Sequence, residues 1–136
     1  MNADATFVAV HDAARPLVTP EQIEHVYELA RKHGGAALAE PITNTLQRAD
    51  KNCVVQGGVP RDNLFGMQTP QIFARDLLDK AYAAVAARGL SITDEVSALE
   101  EIGAKVVLAP NEEWNVKITY PRDLLLAQAV LARRSS

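Results

Sequence analysis

Cysteine is almost absent from this sequence of 136 residues; Cys53 stands alone. No intrachain disulfide can form and a cysteine-built metal site is excluded, which fits a reducing cytoplasm. Long apolar runs are missing too. No stretch approaches the ~18 residues that a membrane-spanning helix needs. Met1 to Asp4 is polar, and no basic segment with an apolar run behind it suggests a secretory signal. Charge of one sign is also lacking: 14 Lys and Arg against 17 Asp and Glu leave a net charge of −3. Nothing in that balance points to nucleic acid or an anionic membrane as a partner, so a phosphate site would have to come from a few locally placed cations. His11, His25 and His33 show no metal-ligand spacing, and no Ser/His/Asp or Cys/His arrangement argues for covalent catalysis. Finally, Gly34-Gly35 and Gly57-Gly58 do not sit between a strand and a helix, so the usual glycine-rich turn whose amides wrap a nucleotide's phosphates is missing.

What remains suits one soluble domain. Hydrophobic residues make up 48% and charged residues 23%, enough for a core and ordinary for a globular chain. Strand and helix signals alternate, which predicts a sheet covered by helices. Phe7 to Val10 reads as a buried strand. Thr19-Pro20-Glu21-Gln22 then starts a helix, with Thr19 as N-cap and Gln22 completing a capping box. Ile23, Val26, Tyr27 and Ala30 share its apolar face, and Gly34-Gly35 stops it. Ala36 to Glu40 is a second strand. Residues 41–66 lose helical periodicity and read as an extended β-arm, a hairpin turning at Asp50-Lys51-Asn52. Such an arm needs a partner to order it, because an isolated hairpin is marginal in water.

Helical spacing returns from Ala74 to Arg88, where Leu77, Leu78, Ala81 and Val85 face inward and Gly89 caps the end. A short helix is expected from Asp94 to Ile102, with Thr93 as its N-cap, and Gly103 stops it. Strands follow at Lys105 to Ala109 and Val116 to Thr119. Pro121 opens a last helix with a Leu124, Ala127, Leu131 stripe, and Arg133 to Ser136 reads as a frayed tail.

Asp12 and Arg15 directly follow the first strand. A loop ion pair or a helix-capping aspartate would explain them; so would ligand chemistry, which open α/β sheets place at the carboxyl ends of strands. Lys117, between Val116 and Ile118, points away from the core on a period-2 strand. By itself that describes an ordinary solvent-facing lysine. Thr93 could serve as a cap while its helix end receives an anion. Arg61 beside Asp62 suggests a local ion pair. Gln68-Thr69-Pro70-Gln71 reads as a structural turn carrying one hydroxyl. His11 is adjacent to these residues and is expected to be structural; Trp114 should pack near the Lys117 strand, while Glu100-Glu101 and Glu112-Glu113 are expected to be solvated.

Taken together, Ala9-Val10-His11-Asp12-Ala13-Ala14-Arg15-Pro16, Arg61-Asp62, Gln68 to Gln71, Thr93-Asp94-Glu95 and Asn115 to Thr119 resemble the 2-C-methyl-D-erythritol 4-phosphate cytidylyltransferases. The likeness begins near Phe7 and reaches the last helix. It implies an α/β fold, a Rossmann-like three-layer sheet with flanking helices of the nucleotidyltransferase type. Here that fold would be truncated at its amino end and would carry a projecting β-arm, with residues 1–136 forming a single partial catalytic domain. It also implies cytidylyl transfer from CTP to 2-C-methyl-D-erythritol 4-phosphate with Mg²⁺ held mainly by the substrate phosphates, in a cytoplasmic homodimer joined through the arm. By the same resemblance Asp12 lies between the two substrates and Lys117 meets the phosphates at the reacting centre. Arg15, Thr69 and Thr93 line the acceptor site, and Thr45 and Arg61 reach into the neighbouring subunit's site.

The family's amino-terminal glycine-rich loop has no counterpart here. The chain is therefore expected to be a fragment of a longer enzyme, or one half of a split enzyme, or a non-catalytic dimerisation remnant, and to be inactive by itself. A ribitol 5-phosphate cytidylyltransferase is the nearest alternative, since it shares the His-Asp…Arg-Pro loop and the Gln-Thr-Pro-Gln segment.

Overall fold

The computed structural model describes residues 4–134; Met1 to Ala3 of the polar start and Ser135-Ser136 of the expected tail lie outside them. Two local devices shape the first helix, α1 (Pro20–His33). At its amino end the Thr19 side chain accepts from the Gln22 amide, and the Gln22 side chain accepts from the Thr19 amide in return, satisfying two of the helix's orphan donors. At its carboxyl end Gly34 takes φ 87° and donates its amide to Ala30, a left-handed cap that costs a glycine little. The chain then enters β2 (Gly35–Pro41) at once.

The main sheet has four strands in the order β1-β5-β2-β6, with β1 at Phe7–Val10, β5 at Phe65–Ala74 and β6 at Val107–Pro110. β5 runs antiparallel to both β1 and β2, and β6 runs parallel to β2. The carboxyl ends of β1, β2 and β6 therefore share one edge of the sheet, and early β5 passes between them. α1 covers one face, packing Val26 and Ala30 on Ala36, Leu38, Ile72 and Ala109. On the other face α2 (Arg75–Arg88) and α3 (Glu95–Glu100) bring Leu78, Ala81, Val85, Ala98 and Leu99 onto Phe73. Adjacent residues Ile72 and Phe73 face opposite layers, as strand alternation requires. The expected three-layer α/β architecture is therefore present. Ala36, Ala37, Leu38 and Ala39 are all buried because β2 is central and covered on both faces. Gly35 is tighter still: a Cβ there would lie 2.9 Å from the Phe73 ring.

The arm is a separate two-stranded sheet of β3 (Leu46–Ala49) and β4 (Val55–Val59), with its turn at Asp50 to Val54. The Asp50 carboxylate accepts from the amides of Asn52 and Val54, the local chemistry that makes aspartate a turn former.

Several expectations need correction. β1 is an edge strand and only half-buried, since pairing covers one side alone. Ile23 is exposed while Gln22 is buried, because the capping side chain turns inward to Asn111. The fourth helix, α4 (Pro121–Arg134), buries Ala127 and Val130 but exposes Leu124 and Leu131. Arg133 and Arg134 complete that helix rather than fraying, and Arg134 donates to the carbonyls of Leu17 and Trp114. The third helix is shorter than expected, and the sixth strand begins two residues later than expected and takes in Pro110. Val116 to Thr119 is not a strand. The Ile118 amide donates to the Ala14 carbonyl and the Thr119 amide to the Asp123 carboxylate; Val116 and Ile118 still alternate inward, against Leu17, Ala127 and Val130.

Candidate active site at the carboxyl edge of the sheet

Gln68 to Gln71 is not a turn. It lies inside β5, where the pairing with β2 jumps from Ala37↔Gln71 to Ala39↔Met67. Three residues of β5 thus oppose Leu38 alone. Such a bulge re-aims side chains, and here it aims them at the site. The Thr69 hydroxyl accepts from the Asp12 amide at 3.0 Å and contacts His11 Nδ1 at 2.9 Å. His11 Nε2 lies 3.1 Å from the Arg15 carbonyl. A carbonyl can only accept, so Nε2 donates to it, and in the neutral ring Nδ1 is then the acceptor of the Thr69 hydroxyl. His11 braces the loop from within, in keeping with a structural role.

Asp12 and Lys117 meet. The Lys117 Nζ is 2.8 Å from Asp12 Oδ2, although the two residues come from opposite ends of the chain. Asp12 Oδ1 accepts from the Ala14 amide. The Lys117 hydrogen bond, seconded by the Ala14 amide, holds the Asp12 carboxyl below its usual range, since both favour the charged form. Lys117 remains 54% exposed, so its other donors face solvent. The side chain does point outward as expected, but from an irregular segment braced beneath by α4.

Arg15 does not pair with Asp12. It donates to the Asn115 carbonyl at 2.6 Å and to the Met67 carbonyl at 3.3 Å, joining the Lys117 segment to β5. Burial draws its pKa down, while the charges of Asp12 and Glu40 oppose that. Nor does Arg61 pair with Asp62: it donates to the Thr43 carbonyl at the arm's base. Thr45 and Arg61 are both exposed on the arm. Among the described residues no hydrogen bond or ion pair joins either of them to the Asp12–Lys117 group.

Thr93 is not the cap of α3. Asp94 is, with its carboxylate accepting from the Ser97 amide and hydroxyl. The helix end expected to receive an anion is thus already closed by one. Burial alone would raise the Asp94 pKa, but the Ser97 hydroxyl and amide and the Gln71 side chain outweigh it and bring it below the ordinary value. Thr93 is left exposed, its hydroxyl 2.8 Å from that of Ser97. Gln71 reaches Asp94 at 3.4 Å and so ties this wall to the bulge.

Sequence reasoning missed the buried amides beneath the site. Gln68 Oε1 accepts from Asn111 and Asn115, Gln68 Nε2 donates to Glu40, and Gln22 donates to Asn111. All four amide residues are buried. Gln68 and Asn115 stood within motifs already singled out, so a signal existed for them; Asn111 carried none. Trp114, expected to pack near the Lys117 segment, is instead half exposed, along a groove with Leu126, Val130 and Arg133 of α4.

The family model for IspD, 2-C-methyl-D-erythritol 4-phosphate cytidylyltransferase, matches residues 1–133. The chain belongs to this family. It is 44% identical to the 2-C-methyl-D-erythritol 4-phosphate cytidylyltransferase of Chromobacterium violaceum over 133 residues, 97% of this chain and 58% of that protein. It is 39% identical over 131 residues to the chloroplastic protein of that name from rice, Oryza sativa subsp. japonica, covering 96% of this chain and 44% of the relative. The crystal structure of the Thermus thermophilus protein of the same name superposes with a TM-score of 0.84 at 37% identity, over 94% of this chain and 62% of that one. The chain therefore spans about two to three fifths of the length of these IspD relatives. In this family member the expected nucleotidyltransferase fold is present, and the matched region carries the Asp12–Lys117 pair.

Proposed function

We propose that this edge of the sheet grips the phosphorylated acceptor of a cytidylyl transfer, 2-C-methyl-D-erythritol 4-phosphate, and that the whole protein joins it to CTP. A phosphate oxygen of the acceptor attacks the α-phosphorus, the bond from that phosphorus to the β-phosphate's bridging oxygen breaks, and pyrophosphate leaves 4-diphosphocytidyl-2-C-methyl-D-erythritol behind. The observation that carries the reading is the 2.8 Å contact between Lys117 and Asp12 at the strands' carboxyl ends. An exposed ammonium held by a carboxylate is placed to offset charge on phosphate oxygens, and Asp12 to orient the acceptor. Arg15 and Thr69 hold the two loops, and the exposed Thr93 hydroxyl lines the adjoining wall. The named relatives all carry the methylerythritol designation, which supports this reading over the ribitol 5-phosphate one.

Mg²⁺ in this reading comes with the triphosphate and neutralises its charge. Asp12 would orient the metal-bound phosphates, which would themselves supply most of the ion's ligands; among the described residues no group of three or more His, Cys, Asp or Glu could hold a metal ion. The arm makes the homodimer: its tip exposes Val54 and Val55, and pairing would order a hairpin that is marginal alone. Thr45 and Arg61 would then serve the neighbouring site, where a guanidinium fork matches two phosphate oxygens. Cys53 is free and exposed, which fits a cytoplasmic setting. Among the described residues no helix is long and apolar enough to cross a membrane.

Calorimetric titration with methylerythritol 4-phosphate tests the site. Binding by the unaltered chain, weakened at least tenfold by Lys117→Met and by Asp12→Asn, is the expected result; equal affinity in all three proteins would defeat the reading.

A further inference from the structure

We propose that Asn115 is a positioning residue that sets the Lys117 ammonium against Asp12, so that both meet one phosphorylated acceptor; the role rests on the function proposed above. Asn115 is 1% exposed, two residues before an ammonium that is over half exposed. It sits in a segment with no strand pairing to hold it. Its side-chain amide donates to the Thr69 carbonyl at 2.8 Å and to Gln68 Oε1 at 3.3 Å. Its backbone carbonyl accepts from Arg15 at 2.6 Å. On the far side of Lys117, the Ile118 amide donates to Ala14. Lys117 is thus clamped on both flanks to the loop that carries Asp12 and to the β5 bulge.

Thr69 is the shared reference point. Its hydroxyl takes the Asp12 amide and its carbonyl takes the Asn115 side chain, so one residue fixes both members of the pair. Remove the Asn115 carboxamide and the Lys117 segment loses its direct tie to Thr69 and Gln68, keeping the Arg15 contact to the Asn115 carbonyl, the Ile118–Ala14 bond and the packing of Val116 and Ile118. The long lysine side chain then recovers rotamer freedom that the ion pair alone, being exposed, is too weak to suppress.

The test uses the 136-residue chain with Asn115→Ala and Asn115→Ser, and Val26→Ala as a core-destabilising control remote from the site. Asp12 is titrated by carboxyl-carbon NMR without ligand, and methylerythritol 4-phosphate affinity is measured calorimetrically. Both Asn115 variants should move the Asp12 midpoint up toward the ordinary aspartate value and weaken binding about tenfold, the loss of one well-made hydrogen-bonded constraint. Val26→Ala should lose stability and change neither. Folded Asn115 variants with the unaltered Asp12 midpoint and affinity would overturn the proposal. If the unaltered chain binds no methylerythritol 4-phosphate, the functional reading fails, while the Asp12 midpoints still decide the role of Asn115. Should neither variant fold, hydrogen exchange in the unaltered protein decides: Asn115 side-chain protons exchanging as slowly as core amides support the clamp. Exchange as fast as that of exposed Asn52 overturns it.

Discussion

Gln68 is the hub of the buried amides under the site, and replacing it separates two energetic effects. In Gln68→Leu a side chain of similar length fills the space, but Oε1 no longer accepts from Asn111 and Asn115 at 3.0 and 3.3 Å. Each of those amides keeps one partner, a Glu113 carbonyl and a Thr69 carbonyl respectively. Each also retains one buried hydrogen with nowhere to go. At about 1 to 1.5 kcal/mol per stranded donor, the variant should lose about 2 to 3 kcal/mol. For a chain of this size that is a fall of roughly 6 to 15 °C in Tm. Gln68→Glu keeps the acceptor but replaces the donor to Glu40, 3.2 Å away, with a second carboxylate. Burial and the neighbouring charge both disfavour ionisation there, so the introduced carboxyl has a folded pKa above its unfolded one. A group shifted upward holds its proton longer in the native state; stability is therefore full below the unfolded value, about 4, and lost as pH rises through the folded one. Gln68→Glu should be distinctly less stable than Gln68→Leu at pH 7.5 and approach or exceed it at pH 5. Urea unfolding at the two pH values measures both. If Gln68→Leu stays within about 0.5 kcal/mol of the unaltered protein, a change typical of sites without buried partners, the hub does not exist. A Gln68→Glu midpoint indifferent to pH would refute the Glu40 contact.

Three further outcomes are expected. Lys117→Met should change stability at pH 7 by no more than about 1 kcal/mol, because the ion pair is largely solvated. Asp12 is held below its ordinary pKa, so its stabilising contribution is present above about pH 4 and fades as pH falls through and below that value; the difference between the two proteins, followed by unfolding from pH 7 to pH 2, should shrink toward zero in acid. Gly35→Ala should destabilise the fold by about 1 to 2 kcal/mol in urea unfolding, overpacking against the buried Phe73 ring outweighing the gain from a less flexible unfolded chain; an unchanged midpoint would show that Phe73 can yield. The 136 residues alone should release no detectable pyrophosphate from CTP and methylerythritol 4-phosphate, for want of amides to position the triphosphate, and robust release would contradict that.

Much of the layout was legible residue by residue. The Thr19–Gln22 capping box, the Gly34 and Gly89 caps and the Asp50 turn use contacts within a few positions of each other, so sequence alone specified them. The apolar spacing of α2 and the arm's loss of periodicity were likewise local signals. Other features depend on residues far apart in the chain. Whether Phe7 to Val10 is central or edge rests on what pairs with it. Val116 to Ile118 alternates like a strand, yet it packs under α4 with no ladder. Gln68 to Gln71 has turn composition, and only pairing with Ala37 and Ala39 turns it into a bulge inside a strand. Asp94 rather than Thr93 caps α3, since either side chain could accept and backbone geometry chooses. Sequence determined which charged and amide side chains were available and how each short element begins and ends. Only the tertiary structure decided that Lys117 lies on Asp12, because that contact spans nearly the whole chain and needs the β5 bulge, Arg15 and Asn115 to hold it.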